Sequence, residues 1–217
     1  MKSPNDLFQM SPECVLFTCV AGSRAYGTHA HESDEDTRGI YAVRADRYLD
    51  LDTPPPQLAL NEWLNSPIVY RESEGLRCQL QALIPAFFNP IAAVHHYLSM
   101  ARAALDSREV GGVISTEKLF YALRALFACR WIERTNSQPP TEFERLVSFV
   151  ANEIEKSWIT DLLQKKAQGS EGDWTLVTQQ LMDAYTSELT GLDTTRTSRQ
   201  TKAGHEPLDE ILRQWTV

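Results

Sequence analysis

The sequence predicts an α+β protein in which a small β-sheet core comes first and a helical bundle follows. Three observations carry that expectation: residues 15–43 hold two strand-like runs around a glycine-containing turn, helical periodicity takes over after residue 56, and Pro54, Pro55 and Pro56 mark the change. On this reading residues 1–57 form the core, 58–189 a helical domain, and 190–217 a polar linker with a short C-terminal helix.

The elements follow in order. The apolar run at 15–20 suits a buried strand, and Gly22-Ser23 lets the backbone turn sharply into a short helix. A second strand is expected over 36–43, with Asp34 and Asp36 at its start. Two residues apart on a strand they share a face, about 6.6 Å between Cα atoms. Beyond the prolines, residues 58–64 read as a short helix ending before Pro67, residues 74–84 as another stopped by Pro85, and Pro90 opens a long one through residue 105. Gly111-Gly112 breaks the chain. A helix over 117–134 then carries an apolar stripe of Leu119, Phe120, Leu123, Leu126, Phe127 and Trp131. Pro139-Pro140-Thr141 with Glu144 reads as a stop and capping box for a helix apolar at Phe143, Leu146, Val147 and Val150. Helices over 154–166 and 174–189 complete the bundle, 190–205 is polar, and 207–215 is a terminal helix.

Composition narrows the function classes. With 217 residues the chain can bury one good core, or a small domain plus a helical one. A net charge of −8 and a pI near 5.2 argue against a surface that coats DNA, because non-specific affinity for polyphosphate comes from Lys and Arg. Cys14, Cys19, Cys78 and Cys129 are widely spaced without a Cys-x-x-Cys pair, and read as reduced core thiols of a cytoplasmic protein. No apolar run approaches the roughly 20 residues of a membrane span, so no membrane partner is expected.

The chemistry concentrates around the first turn. A strand ending in Gly22-Ser23 at a helix start offers backbone N–H groups and a hydroxyl to a phosphate. Paired oxygen-only carboxylates such as Asp34 and Asp36 suit Mg²⁺ or Mn²⁺, whose shell is completed by water and substrate phosphates. Phosphoryl transfer asks for little else, since positioning the triphosphate and neutralising its charge do most of the work.

With these residues the chain resembles the nucleotidyltransferases of the DNA polymerase β superfamily, whose motif is a Gly-Ser followed about ten residues later by Asp-x-Asp or Asp-x-Glu. It is similar, more closely, to a bacterial family of predicted nucleotidyltransferases, whose blocks GSRAYGT, SDEDTRGIY, EWLNSPIVY, HHYLSMA and FYALRALFACRWIE stand here in the same order over residues 12–190. The resemblance implies a small mixed-sheet core, catalytic and metal roles for Asp34 and Asp36, and an NTP held by Gly22 and Ser23. It also implies a third carboxylate between the second strand and the EWLNSPIVY block. Here the chain runs from Leu49-Asp50-Leu51-Asp52-Thr53 into the prolines and then into Leu58, so the third strand and its helix read as shortened or absent. Asp50, Asp52 and Glu62 are the candidates left for the third ligand.

Other residues carry two readings each. Arg24 and Arg38 either meet phosphate or ribose, or balance the acidic cluster. Lys118, Tyr121 and Arg124 recur at i, i+3, i+6, so their helix face either contacts the nucleotide or is solvated. His29, His31, His95 and His96 are weaker candidates for metal or proton work, and the tryptophans read as core. The leading expectation is a metal-dependent nucleotidyltransferase that moves NMP from an NTP to a hydroxyl on an RNA end, a small molecule or a protein. The alternatives are a non-catalytic nucleotide-binding or protein-interaction module, and an antitoxin-like partner of a helical toxin.

Overall fold

A computed structural model describes residues 15–41, 60–106, 113–168, 174–176, 187, 204 and 206–215. It is α+β: a three-stranded sheet, then helices. The described residues divide into two compact units, one built from the residues up to Ala25, Glu35–Phe87 and the C-terminal helix, the other from Tyr26–Asp34 and the helices after Phe87.

In the first unit β1 (Val15–Ala21) is central, with β2 (Asp36–Tyr41) on one side and β3 (Val69–Glu72) on the other, both antiparallel to it. Antiparallel pairing on both sides stands where a mixed sheet was expected. β1 is almost wholly buried, as its largely apolar run requires. Helices α1 (Gly22–Tyr26), α2 (Leu60–Leu64) and α3 (Leu76–Phe87) complete this part, and α8 (Glu206–Trp215) packs on α3. Leu16, Phe17, Cys19 and Leu76 form its core, with Ile40, Trp63, Val69, Leu80 and Ile211 against them. Burial pushes the Cys19 thiol up to about 11, which leaves it protonated and inert at neutral pH. The expectation of core thiols holds for Cys19 and Cys129 and fails for Cys78, which is exposed on α3.

The third strand lies beyond the proline run, in the block that follows α2. Ser66, fully buried, fixes it: its hydroxyl donates to Val20 O at 2.6 Å, and Val20 N donates to Ile68 O at 3.0 Å. Arg77 of α3 donates to Leu64 O and Ser66 O at 2.8 and 2.9 Å, so the carbonyls of this turn are satisfied without solvent. Pro85 does not stop α3, which runs two residues further to Phe87. Lying in the last turn, it removes only one ladder bond before the helix would end anyway.

The second unit is built around α4 (Pro90–Asp106) and α5 (Thr116–Thr135), the most extensively packed pair of helices. Asn89 caps α4, its side chain accepting from Ala92 N at 3.1 Å just before the expected Pro90 start. Leu119, Leu123, Leu126 and Phe127 of the α5 stripe are fully buried, while Trp131 packs at the edge. α5 ends at Asn136 in the left-handed region, φ 51°, whose N–H closes on Ile132 O. α6 (Phe143–Val150) and α7 (Glu153–Gln168) follow. α6 begins one residue later than the capping box expected at Thr141 and Glu144 would have it, behind Glu142, whose side chain makes no capping bond. A true capping box opens α7 instead: Glu155 N donates to Asn152 Oδ1 and Asn152 N to Glu155 Oε2, both at 2.9 Å. A two-stranded ribbon, β4 (Val113–Ser115) with β5 (Trp174–Leu176), replaces the first three residues of the helix expected from Trp174, while Ser187 within that expected helix is helical. The remainder of that expected helix, except Ser187, and most of the expected linker lie outside the described residues.

Glu155 also receives Arg130 of α5 through two 2.9 Å hydrogen bonds. Burial pushes its carboxyl up, but the Arg130 bonds and charge and the Asn152 amide outweigh it and hold the pKa below its ordinary 4.5. A depressed carboxylate contributes stability that is present above 4.5 and lost as pH falls through the folded value. Glu155→Gln is therefore expected to lower the melting temperature by a few degrees at about pH 7, and to narrow its gap to the wild type below about pH 4. Thermal melts at the two pH values check this; a gap that stays constant would show that the ionised pair contributes nothing.

Candidate active site

β1 delivers the chain to Ala21, and Gly22 turns it with a φ of +66°, a conformation that residues with side chains rarely adopt. α1 begins there and lasts little more than one turn. Ala21 pairs with Asp36, the first residue of β2, so the Gly-Ser turn and the carboxylate meet at one end of the sheet. Their contact is close: a Cβ on Gly22 would stand 2.5 Å from Asp36 Oδ2. The bare Cα is thus needed both for the turn and for the acid beside it.

Asp36 keeps 40% of its side chain exposed. Arg38, two residues along β2, reaches it at 3.6 Å and donates to Thr37 O at 3.0 Å. An ion pair this exposed contributes at most about 1 kcal/mol, so Arg38 is held only weakly in its charge-balancing position. Glu35 has a different task. Its carboxylate accepts the hydroxyl of Tyr70 on β3, which, with some burial, raises that phenol above its ordinary pKa, while the nearby Arg24 opposes the shift. Tyr70 is thereby tied to the acidic motif, a connection the sequence analysis did not draw. The signal was available, since Ile68 and Tyr70 alternate after Pro67 as strand residues do.

Asp34 is exposed and precedes the paired strand rather than belonging to its ladder. The structure assigns it to the second unit, at the end of the segment Tyr26–Asp34. Also in that unit, the i, i+3, i+6 set on α5 spans three environments. Lys118 is exposed, Tyr121 is half-buried with its ring edge-on to Tyr26 at 6.2 Å, and Arg124 is 2% exposed with its guanidinium 3.9 Å over the Tyr26 ring. A uniformly solvated face is therefore excluded. His29, His31, His95 and His96 are all exposed.

No group of three or more His, Cys, Asp or Glu able to hold a metal occurs among the described residues. Asp50 and Asp52 lie outside them. Glu62 sits half-buried on α2. Glu72, the acid that β3 supplies, pairs with Phe17, four residues and so about 13 Å along β1 from the Ala21–Asp36 end.

Comparison with known proteins adds the ancestry. The model of the RNA repair pathway DNA polymerase beta family matches residues 7–61 and 57–214, two segments that meet where the sequence suggested a shortened region. The uncharacterized protein YcgL of Bacillus subtilis (strain 168) is 31% identical over 190 residues, covering 73% of this chain and 72% of the relative. No solved structure matches the chain.

Proposed function

Since the chain belongs to the RNA repair pathway DNA polymerase beta family, we propose that it is a metal-dependent nucleotidyltransferase that moves NMP from an NTP to a hydroxyl at an RNA end. The observation that carries this reading is the closeness of Asp36 to the bare Cα of Gly22 at a positive φ, which puts a carboxylate beside the Gly-Ser turn. The donors fit Mg²⁺, or Mn²⁺ in its place: they are oxygens only, Asp36 is accessible, and this ion takes one or two carboxylates and leaves the rest of its shell to water and phosphate. Asp34 and Asp36 would hold it, and it would neutralise the triphosphate.

The other roles belong to this chain's residues. The Gly22 backbone and the Ser23 hydroxyl hold the phosphates, and Arg24 and Arg38 add charge toward phosphate or ribose. The acceptor oxygen bonds to the α-phosphorus as the bond to pyrophosphate breaks, and the acceptor's proton leaves to solvent. If Asp34 and Asp36 act without a third carboxylate, turnover is slow. The protein is cytoplasmic on this reading, and among the described residues no helix is long and apolar enough to cross a membrane.

Incubating the protein with each of the four NTPs, Mg²⁺ and an RNA ending in a 3′-hydroxyl is expected to release pyrophosphate and lengthen the RNA by label from at least one NTP. Release of none, with RNA or protein acceptors, would overturn the catalytic reading. It would favour a nucleotide-binding module, which the missing third ligand among the described residues supports independently.

A further inference from the structure

Between the two halves of the acidic motif's frame, the segment Tyr26–Asp34 is compact. Ala30 N donates to Ser33 Oγ at 2.9 Å and Ser33 N to Ala30 O at 3.2 Å, closing a turn, and Thr28, Ala30 and Ser33 are buried. The segment begins at Tyr26, whose ring is covered by the Arg124 guanidinium at 3.9 Å and met edge-on by Tyr121. Arg124 is itself held, its Nε donating to Thr141 O at 3.3 Å. All of these residues belong to the second unit. Burying a guanidinium is costly unless its surroundings satisfy it, and a desolvated cation over an aromatic face is worth about 2 kcal/mol. Arg124 thus already engages both Tyr26 and Thr141.

We propose that Arg124 and Tyr26 are positioning residues that anchor the segment ending in Asp34 and so fix that carboxylate for the metal–nucleotide complex. The proposal rests on the reading of Asp34 as a metal carboxylate. It gives the third member of the α5 set a role other than phosphate contact. The chain from Tyr26 to Asp34 has no helix or strand after its first residue to stiffen it, so its conformation depends on where it is pinned.

Two readouts test it: hydrogen exchange at the Ala30 and Ser33 amides, and the Mn²⁺ concentration needed for half-maximal ATP binding. Tyr26→Leu and Arg124→Met are expected to speed exchange at both amides about tenfold and to raise the Mn²⁺ requirement by a similar factor. Tyr26→Phe, which keeps the aromatic face, should restore both to near the wild type. Glu155→Gln, which loosens α5 against α7 without touching the segment, should leave both unmoved. Should Arg124→Met fail to fold, Tyr26→Leu carries the test, because it leaves the Arg124–Thr141 bond intact. Unchanged exchange in Tyr26→Leu overturns the anchor, and faster exchange with an unchanged Mn²⁺ requirement overturns its link to Asp34. A wild type that binds no Mn²⁺–ATP overturns the functional reading and the link with it, while the exchange arm still decides the anchor.

Discussion

Replacing Asp34 and Asp36 together by alanine is expected to abolish the Mg²⁺ dependence of NTP binding and to lower any turnover more than about 100-fold. Loss of an outer-shell partner in a metal site costs about 10–100-fold, and removing both proposed ligands is expected to exceed it. The fold should survive. Asp36 is 40% exposed with a weak 3.6 Å partner, and surface changes of this kind usually fall within about 0.5 kcal/mol. Calorimetric titration of ATP with and without Mg²⁺ measures the effect in both proteins. Equal, metal-enhanced affinity in wild type and double mutant would sink the assignment of these carboxylates.

Gly22→Val should be nearly as damaging by a different route. A β-branched residue at a φ of +66° is strained by about 1–3 kcal/mol, and its Cβ would stand 2.5 Å from the Asp36 carboxylate, so the acid must move as well. The expected result is a drop of at least about tenfold in NTP affinity, with the far-ultraviolet helical signal retained because α4–α7 lie in the other unit. Since both substitutions disturb one carboxylate, Gly22→Val combined with Asp36→Ala should fall short of additive. Undiminished NTP affinity in a folded Gly22→Val protein would mean that the turn is structural only.

Local rules made the centre of the fold legible. The apolar run of β1, the glycine turn, Pro90 opening α4 and the period of the α5 stripe are each set by neighbours in sequence, and each is found within a residue or two. What could not be read depended on tertiary partners. β3 is only four residues long and owes its place to Ser66 and Arg77, whose bonds reach 46 residues back to Val20 and 13 back to Leu64. The α7 cap was missed because the helix was expected to begin at residue 154, inside the Asn152–Glu155 box rather than behind it, and the start of α6 was placed one residue early. That Gly22 and Asp36 stand near one another was legible from spacing. The Tyr26–Arg124 contact was not, because it joins positions 98 residues apart (124 − 26), and helical spacing alone made Arg124 look like one of a set of surface cations.

The narrow gap between the Gly22 Cα and the Asp36 carboxylate also bears on how this chain can change over time. A side chain at position 22 forces the acid at position 36 to move, so the two positions are coupled. A descendant that gave up the acid would remove the steric barrier and leave only the backbone requirement, which asparagine can meet as well as glycine. Asparagine at position 22 alongside a shortened residue at position 36 would then be the molecular trace of a lineage in which the chemistry had already been abandoned.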